Sequence, residues 1–252
     1  MAENFALANR VRHLIVQPSD AALDPPESYL FVQDGLIISC GVIYALCYLF
    51  CMIRAYSDRT LPGKDWGSIQ FLAGCMAYEL FYAFTTTTTQ NEKLCFLAWF
   101  ELDIAFTSLV VRRIYGPEQR KKIVRNMILM FTACVAGLYG LTKYYPDERE
   151  QVTAYWTGLA LQLPIGYACL YFLWRDQDTA GHSLEIWLTK YIGCYTAYGV
   201  FFWRYWNVPQ NWEYVGSPLS VGIIILTLIP ETIYPFVYIK IHNEKEKKEK
   251  VQ

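Results

Sequence analysis

Charge is scarce in this 252-residue chain. Charged residues make up 18% of it and hydrophobic residues 54%, with a net charge of −1; soluble domains carry about a quarter charged residues. The near-zero balance removes any bulk attraction for nucleic acid. Histidine occurs only at His13, His182 and His242, far apart in polar segments, and no His/Cys spacing matches a metal site. The eight cysteines sit in or at the ends of apolar runs, with no framework spacing. That excludes a disulfide scaffold and leaves them as small packing residues. Neither a Gly-rich phosphate loop nor a nucleophile elbow occurs.

What is plentiful is apolar length. Seven runs of about 18 to 25 residues can each cross a bilayer core as a helix: Phe31–Ile53, Trp66–Thr85, Leu94–Val111, Ile123–Thr142, Val152–Leu173, Ile186–Trp206 and Leu219–Ile239. The joints carry breakers, among them Pro62-Gly63, Gly116-Pro117, Pro146-Asp147 and Gly216-Ser217-Pro218. The expected fold is an all-α polytopic membrane protein of seven transmembrane helices. Lys and Arg divide fifteen against five between its two sides, which puts the N-terminus in the lumen and the C-terminus in the cytosol. The chain thus divides into a lumenal segment 1–29, a seven-helix domain 30–240 and a cytosolic lysine-rich tail 241–252. Residues 1–29 hold no signal-peptide core. The ending Lys248-Glu249-Lys250-Val251-Gln252 fits either a dilysine signal for the endoplasmic reticulum or a solvated charge run.

Ionisable groups inside spans cost about 2.5 to 3.5 kcal/mol each, so each needs a partner or a task. Asp34, Arg125, Lys190 and Arg204 lie near run ends and read as interfacial anchors. Glu101 and Asp103 point to opposite sides of one helix. Glu79 and Glu231 are deepest, each in a Glu-x-x-Tyr-x-Phe hexad, and Tyr82 and Tyr234 share a helix face with their acids. Pro230, and Pro235 in the same way, each remove one helix hydrogen bond and are expected to kink the span around Glu231, as Pro164 does in the fifth span. Burial favours the neutral carboxylic acid, a proton donor for a weak base such as an epoxide oxygen. Aromatic faces then stabilise the resulting cation; candidate walls are Trp66, Tyr78, Tyr82, Trp99, Phe100, Phe106, Tyr155, Trp156, Trp203 and Tyr234. A structural pairing of helices, or a proton relay in a small seven-helix transporter, is the competing reading.

Three segments carry a resemblance. Ala77-Tyr78-Glu79-Leu80-Phe81-Tyr82 is similar to the Ala-Trp-Glu-Phe-Val-Tyr signature of the fungal membrane-bound terpene cyclases of meroterpenoid and indole-diterpene biosynthesis. Gly181-His182-Ser183-Leu184-Glu185-Ile186-Trp187-Leu188-Thr189-Lys190-Tyr191-Ile192-Gly193 resembles their Gly-x-Ser-Leu-x-Ile-Trp-Leu-x-Arg/Lys-x-x-Gly segment, and Glu231-Thr232-Ile233-Tyr234 their acid-x-x-Tyr element. The likeness runs from about Trp66 to Ile239. Tyr78 replaces the usual Trp, and Glu231 stands where Asp is common. No two aspartates are adjacent, unlike the acid motifs of the soluble cyclases.

The resemblance implies cyclisation of an epoxidised prenyl chain on an aromatic or polyketide head, with no metal and no other cofactor. The essential acids fall on Glu79 and Glu231. Supporting or substrate-binding positions are expected at Tyr82, Tyr234, Asp103, Tyr78, Trp99, Trp156, Trp187 and Lys190. The partners are then the small-molecule substrate and the bilayer.

Overall fold

The computed structural model describes residues 13–145 and 151–250, without the side chains of Glu27 and Glu249. Arg10, Arg12, the Pro146-Asp147 joint, Arg149 and the final Val251-Gln252 lie outside the described residues. All eight cysteines are free.

Seven long helices follow the seven apolar runs: α1 Glu27–Asp58, α2 Leu72–Thr85, α3 Gln90–Ile114, α4 Pro117–Tyr144, α5 Val152–Asp176, α6 Leu184–Asn207 and α7 Pro218–Glu249. Their starts carry capping chemistry. The hydroxyls of Thr89, Ser183 and Ser217 accept backbone N–H groups of α3, α6 and α7, and prolines open α4 and α7. Five of the seven (α1, α3, α4, α5 and α7) are long and apolar enough to cross a membrane. Their large apolar side chains face outward, as Phe31, Ile38, Val42 and Ile53 do on α1, which suits lipid rather than water.

The second run departs from expectation. Gly63 and Gly67 take left-handed φ of 68° and 66°, and the chain makes two 3-10 turns, Lys64–Trp66 and Ser68–Phe71, before α2 begins at Leu72. α2 therefore has 14 residues, about 21 Å of helix. The seventh run extends past its expected end instead, since α7 continues through the lysine-rich tail.

Six helices close a ring in the order α6, α1, α3, α2, α5, α7, and α4 packs outside on α2 and α3. α2 and α7 are thus not ring neighbours; α5 stands between them. One end of the bundle is closed by a strap, residues 13–21. There Gln33 donates to the Ile15 carbonyl, Thr88 and Thr89 to those of Val16 and Leu14, and the Leu14 N–H to Asp34. His13 completes the strap with a 2.7 Å contact to Asp34. The opposite end carries the α7 tail.

Candidate active site

Inside the ring, Glu79 and Glu231 sit in separate polar centres. At the first, Glu79 on α2 and Asp103 on α3 present their carboxyls to each other, with the Tyr48 hydroxyl of α1 alongside. Asp103 is fully buried and Glu79 nearly so. Among the described residues, no N–H or hydroxyl donor is in hydrogen-bond geometry with Glu79 Oε2 or with either Asp103 oxygen. Two carboxyls buried face to face favour one shared proton over two neighbouring charges. Glu101, two residues from Asp103, faces outward. The Tyr78 ring lies 4.9 Å from that of Tyr82 and 6.1 Å from Phe96, which touches Trp99. The Tyr78 hydroxyl donates to Ala154 O, and that of Tyr82 meets Thr157 on α5.

The second centre is ionic. Lys190 Nζ of α6 stands 2.8 Å from Glu231 Oε1 of α7, with 12% and 1% of the side chains exposed. Lys190, expected as an anchor, is an internal counter-ion. Cys47 and Cys51 of α1 and Cys169 of α5 surround the pair. Cys47 is the chain neighbour of Tyr48, so α1 connects the two centres.

The α7 prolines explain two aromatic positions. Pro230 and Pro235 lack N–H groups, which orphans the carbonyls of Leu226 and Glu231 four residues earlier. Tyr167 donates to Leu226 O at 3.0 Å, and Trp187 Nε1 to Glu231 O at 2.7 Å. Both donors satisfy the backbone of the continuous helix that carries the acid. Gly166 on α5 is the third constraint: a Cβ there would lie 2.7 Å from Glu231 Oε1 and 3.0 Å from Pro230. Gly166→Ala is expected to push the carboxylate off Lys190 and lower turnover at least tenfold while the protein still folds. Turnover per folded molecule, normalised by size-exclusion yield, checks this; an unchanged rate would refute it.

The 181–193 segment now has a physical reading. Gly181, at φ 78°, donates its N–H to Asp58, and Ser183 caps α6 through Ile186 N–H. Trp187 and Lys190 follow on Glu231, and Gly193 admits the Tyr44 ring, 2.9 Å from where a Cβ would stand.

His182 Nδ1 pairs with the Tyr234 hydroxyl at 3.0 Å, so Tyr234 turns to the α5–α6 loop rather than to its own acid. Burial holds this imidazole at about 4, against opposing influences from Asp176 and Asp178 and reinforcing ones from Lys190 and Arg54. The unfolded histidine takes its proton near 6.5. Stability is therefore full above that value and falls as pH drops toward about 4, by up to about 3 kcal/mol. Melting temperature in detergent should fall between pH 7 and 5, less so in His182→Gln. Equal falls in both proteins would exclude His182.

Other expected wall residues lie elsewhere. Trp66 is exposed near the tail end, stacked by Arg175. Phe100 leans on Phe131 of α4, whereas Phe106 contacts Tyr48 and so borders the first centre as expected of a wall residue. Trp203 donates to Tyr29 O at the strap end, where Tyr155 and Trp156 join the core around Trp212. Arg204, expected at an interface, is 2% exposed; it donates to Gln33 and stacks on Trp212. Tyr48, Tyr167 and Gly166 carry no signal in the sequence, although a helix proline announces that some donor is needed.

A family model described as Pyr4-like transmembrane terpene cyclases matches residues 19–244. The Pyr4-family terpene cyclase mfmH of Annulohypoxylon moriforme is 29% identical over 246 residues, covering 94% of this chain and 97% of that protein. Terpene cyclase macJ of Penicillium terrestre is 22% identical over 218 residues, covering 84% and 83%. Terpene cyclase ascF of Acremonium egyptiacum is 25% identical over 247 residues, covering 89% of each chain. No solved structure matches.

Proposed function

The chain belongs to the Pyr4-like transmembrane terpene cyclases, and from that premise we propose that it opens the epoxide of a prenylated aromatic or polyketide by acid catalysis and guides the cation through cyclisation. The observation that carries this reading is the buried Glu79–Asp103 carboxyl pair, a proton source walled off from water. In the first step the pair's proton moves to the oxirane oxygen as its C–O bond breaks, leaving an alcohol and a carbocation. Alkene electron pairs then form C–C bonds in turn, and loss of a proton from the last cation returns the balance, so the product is an isomer.

Glu231 serves differently in this scheme. Held by Lys190, it is a carboxylate fixed inside the ring, placed to steady positive charge that develops along the substrate. Tyr78, Tyr82 and Tyr48 offer ring faces to the moving cation. The Lys and Arg asymmetry supports a lumenal strap end, a cytosolic tail end and seven spans, with the dilysine-like ending pointing to the endoplasmic reticulum. Family membership sets the transporter reading aside.

The test is direct. Microsomes bearing the protein receive an epoxyfarnesylated phenol, and products are followed by mass spectrometry and NMR. A ring-closed isomer of unchanged mass is expected. Unreacted epoxide across phenol, indole and polyketide heads would overturn the proposal.

A further inference from the structure

On the outer side of the α6–α7 seam, three hydroxyls run in line through the apolar part of the bundle. Tyr195 meets Tyr191 at 3.2 Å, Tyr191 meets Thr232 at 3.4 Å, and Thr232 donates to Leu228 O at 2.9 Å. Tyr195 is half exposed, and Thr232 is exposed as well. Trp187 stacks on Tyr191 at 5.6 Å, which extends the strip toward the tail end.

An interfacial aromatic belt does not account for them. Belt residues sit at the headgroups, whereas Tyr195 lies eleven residues from the start of α6 at Leu184, about 17 Å along the helix. Thr232 is about 12 Å inward of Lys240, the first lysine of the α7 tail. Hydroxyls at that depth face hydrocarbon, where no water satisfies them.

Proton accounting then gives the strip a direction. The single proton of Thr232 goes to Leu228 O, so Tyr191 must donate to Thr232, and Tyr195 to Tyr191. Every donor is used internally. What remains is an acceptor, the Tyr195 oxygen, opening onto the bilayer beside an aromatic face. Lys190 and Glu231 are the chain neighbours of Tyr191 and Thr232, so the ion pair lies directly behind the strip.

We propose that the Tyr195–Tyr191–Thr232 strip is a lateral binding site for the hydrogen-bond-donating aromatic head (phenol O–H or indole N–H) of a prenylated substrate dissolved in the membrane. The site rests on the proposed cyclase reading for its ligand. A donor head completes the chain at Tyr195 and stacks along α6, while its prenyl tail stays in lipid.

The experiment uses the full chain in lipid nanodiscs with an epoxyfarnesylated phenol and its O-methyl ether. Tyr195→Phe, which removes the acceptor and keeps the ring, is expected to raise KM for the phenol about tenfold, the scale of one lost hydrogen bond, with kcat within twofold. The ether, having no donor, should show the raised KM on the unaltered protein and no further change on the variant. An unchanged phenol KM, or an equal shift for the ether, overturns the site. If the unaltered protein converts neither compound, the site is judged apart from the cyclase reading, by a diazirine-bearing farnesyl phenol. That probe should label residues 187–195 and lose the label in Tyr195→Phe; label elsewhere, or label indifferent to the substitution, overturns it. Disulfide-linked dimers of Tyr195→Cys would show that a second copy covers the strip, which also overturns it.

Discussion

Glu79→Gln is expected to abolish epoxide opening, with turnover down a thousandfold or more and substrate recovered unchanged. The amide keeps the size of the acid and loses the transferable proton, and a positioned general acid contributes about 10²–10⁴ in rate. Asp103 is fully buried against it, so Asp103→Asn breaks the same carboxyl pair from the other side. Its expected loss is smaller, about 10–100-fold, because Glu79 still carries a carboxyl. The double variant should be no worse than Glu79→Gln alone, since residues that act as a unit are not additive. Single-turnover assays on matched amounts of folded protein measure all three. Full turnover in Glu79→Gln would remove this pair from the chemistry.

Lys190→Met should act on the fold as well as on the reaction. It strands the Glu231 carboxylate, 1% exposed, without its cation, and breaking a buried pair from one side costs about 3–5 kcal/mol. Low yield and a depressed melting temperature are expected, with Lys190→Arg keeping both near normal. Lys190→Met combined with Glu231→Leu should recover stability, because a buried ion pair replaced by apolar residues of similar volume is often neutral or better. That double variant should still fail to cyclise. A combined variant that is stable and active would reduce the ion pair to a structural element, and a Lys190→Met protein as stable as the original would mean that Glu231 is not ionised.

The sequence by itself determined the elements and the depth of the acids. Seven apolar runs, with breakers between them, predict seven helices, and apolar residues around Glu79 and Glu231 predict their burial. Both are local properties: a helix needs only its own backbone bonds, and a bilayer-length run is visible in any window of about 20 residues. The GKDWG stretch shows the limit, because whether Gly63 and Gly67 open a turn or continue a helix depends on what packs there.

Only the tertiary structure decided the partners. Glu79 and Glu231 look alike in sequence, yet one meets a carboxyl from α3 and the other an ammonium from α6. Lys190 and Arg204, both near helix ends, turn inward. Tyr167 and Trp187 take up carbonyls that Pro230 and Pro235 release. The reason is geometric: helical periodicity says which residues share a face, while the group that face meets is set by long-range packing of helices far apart in the chain. The chemistry of a buried acid belongs to that second level, because its charge state depends on the neighbour across the interface.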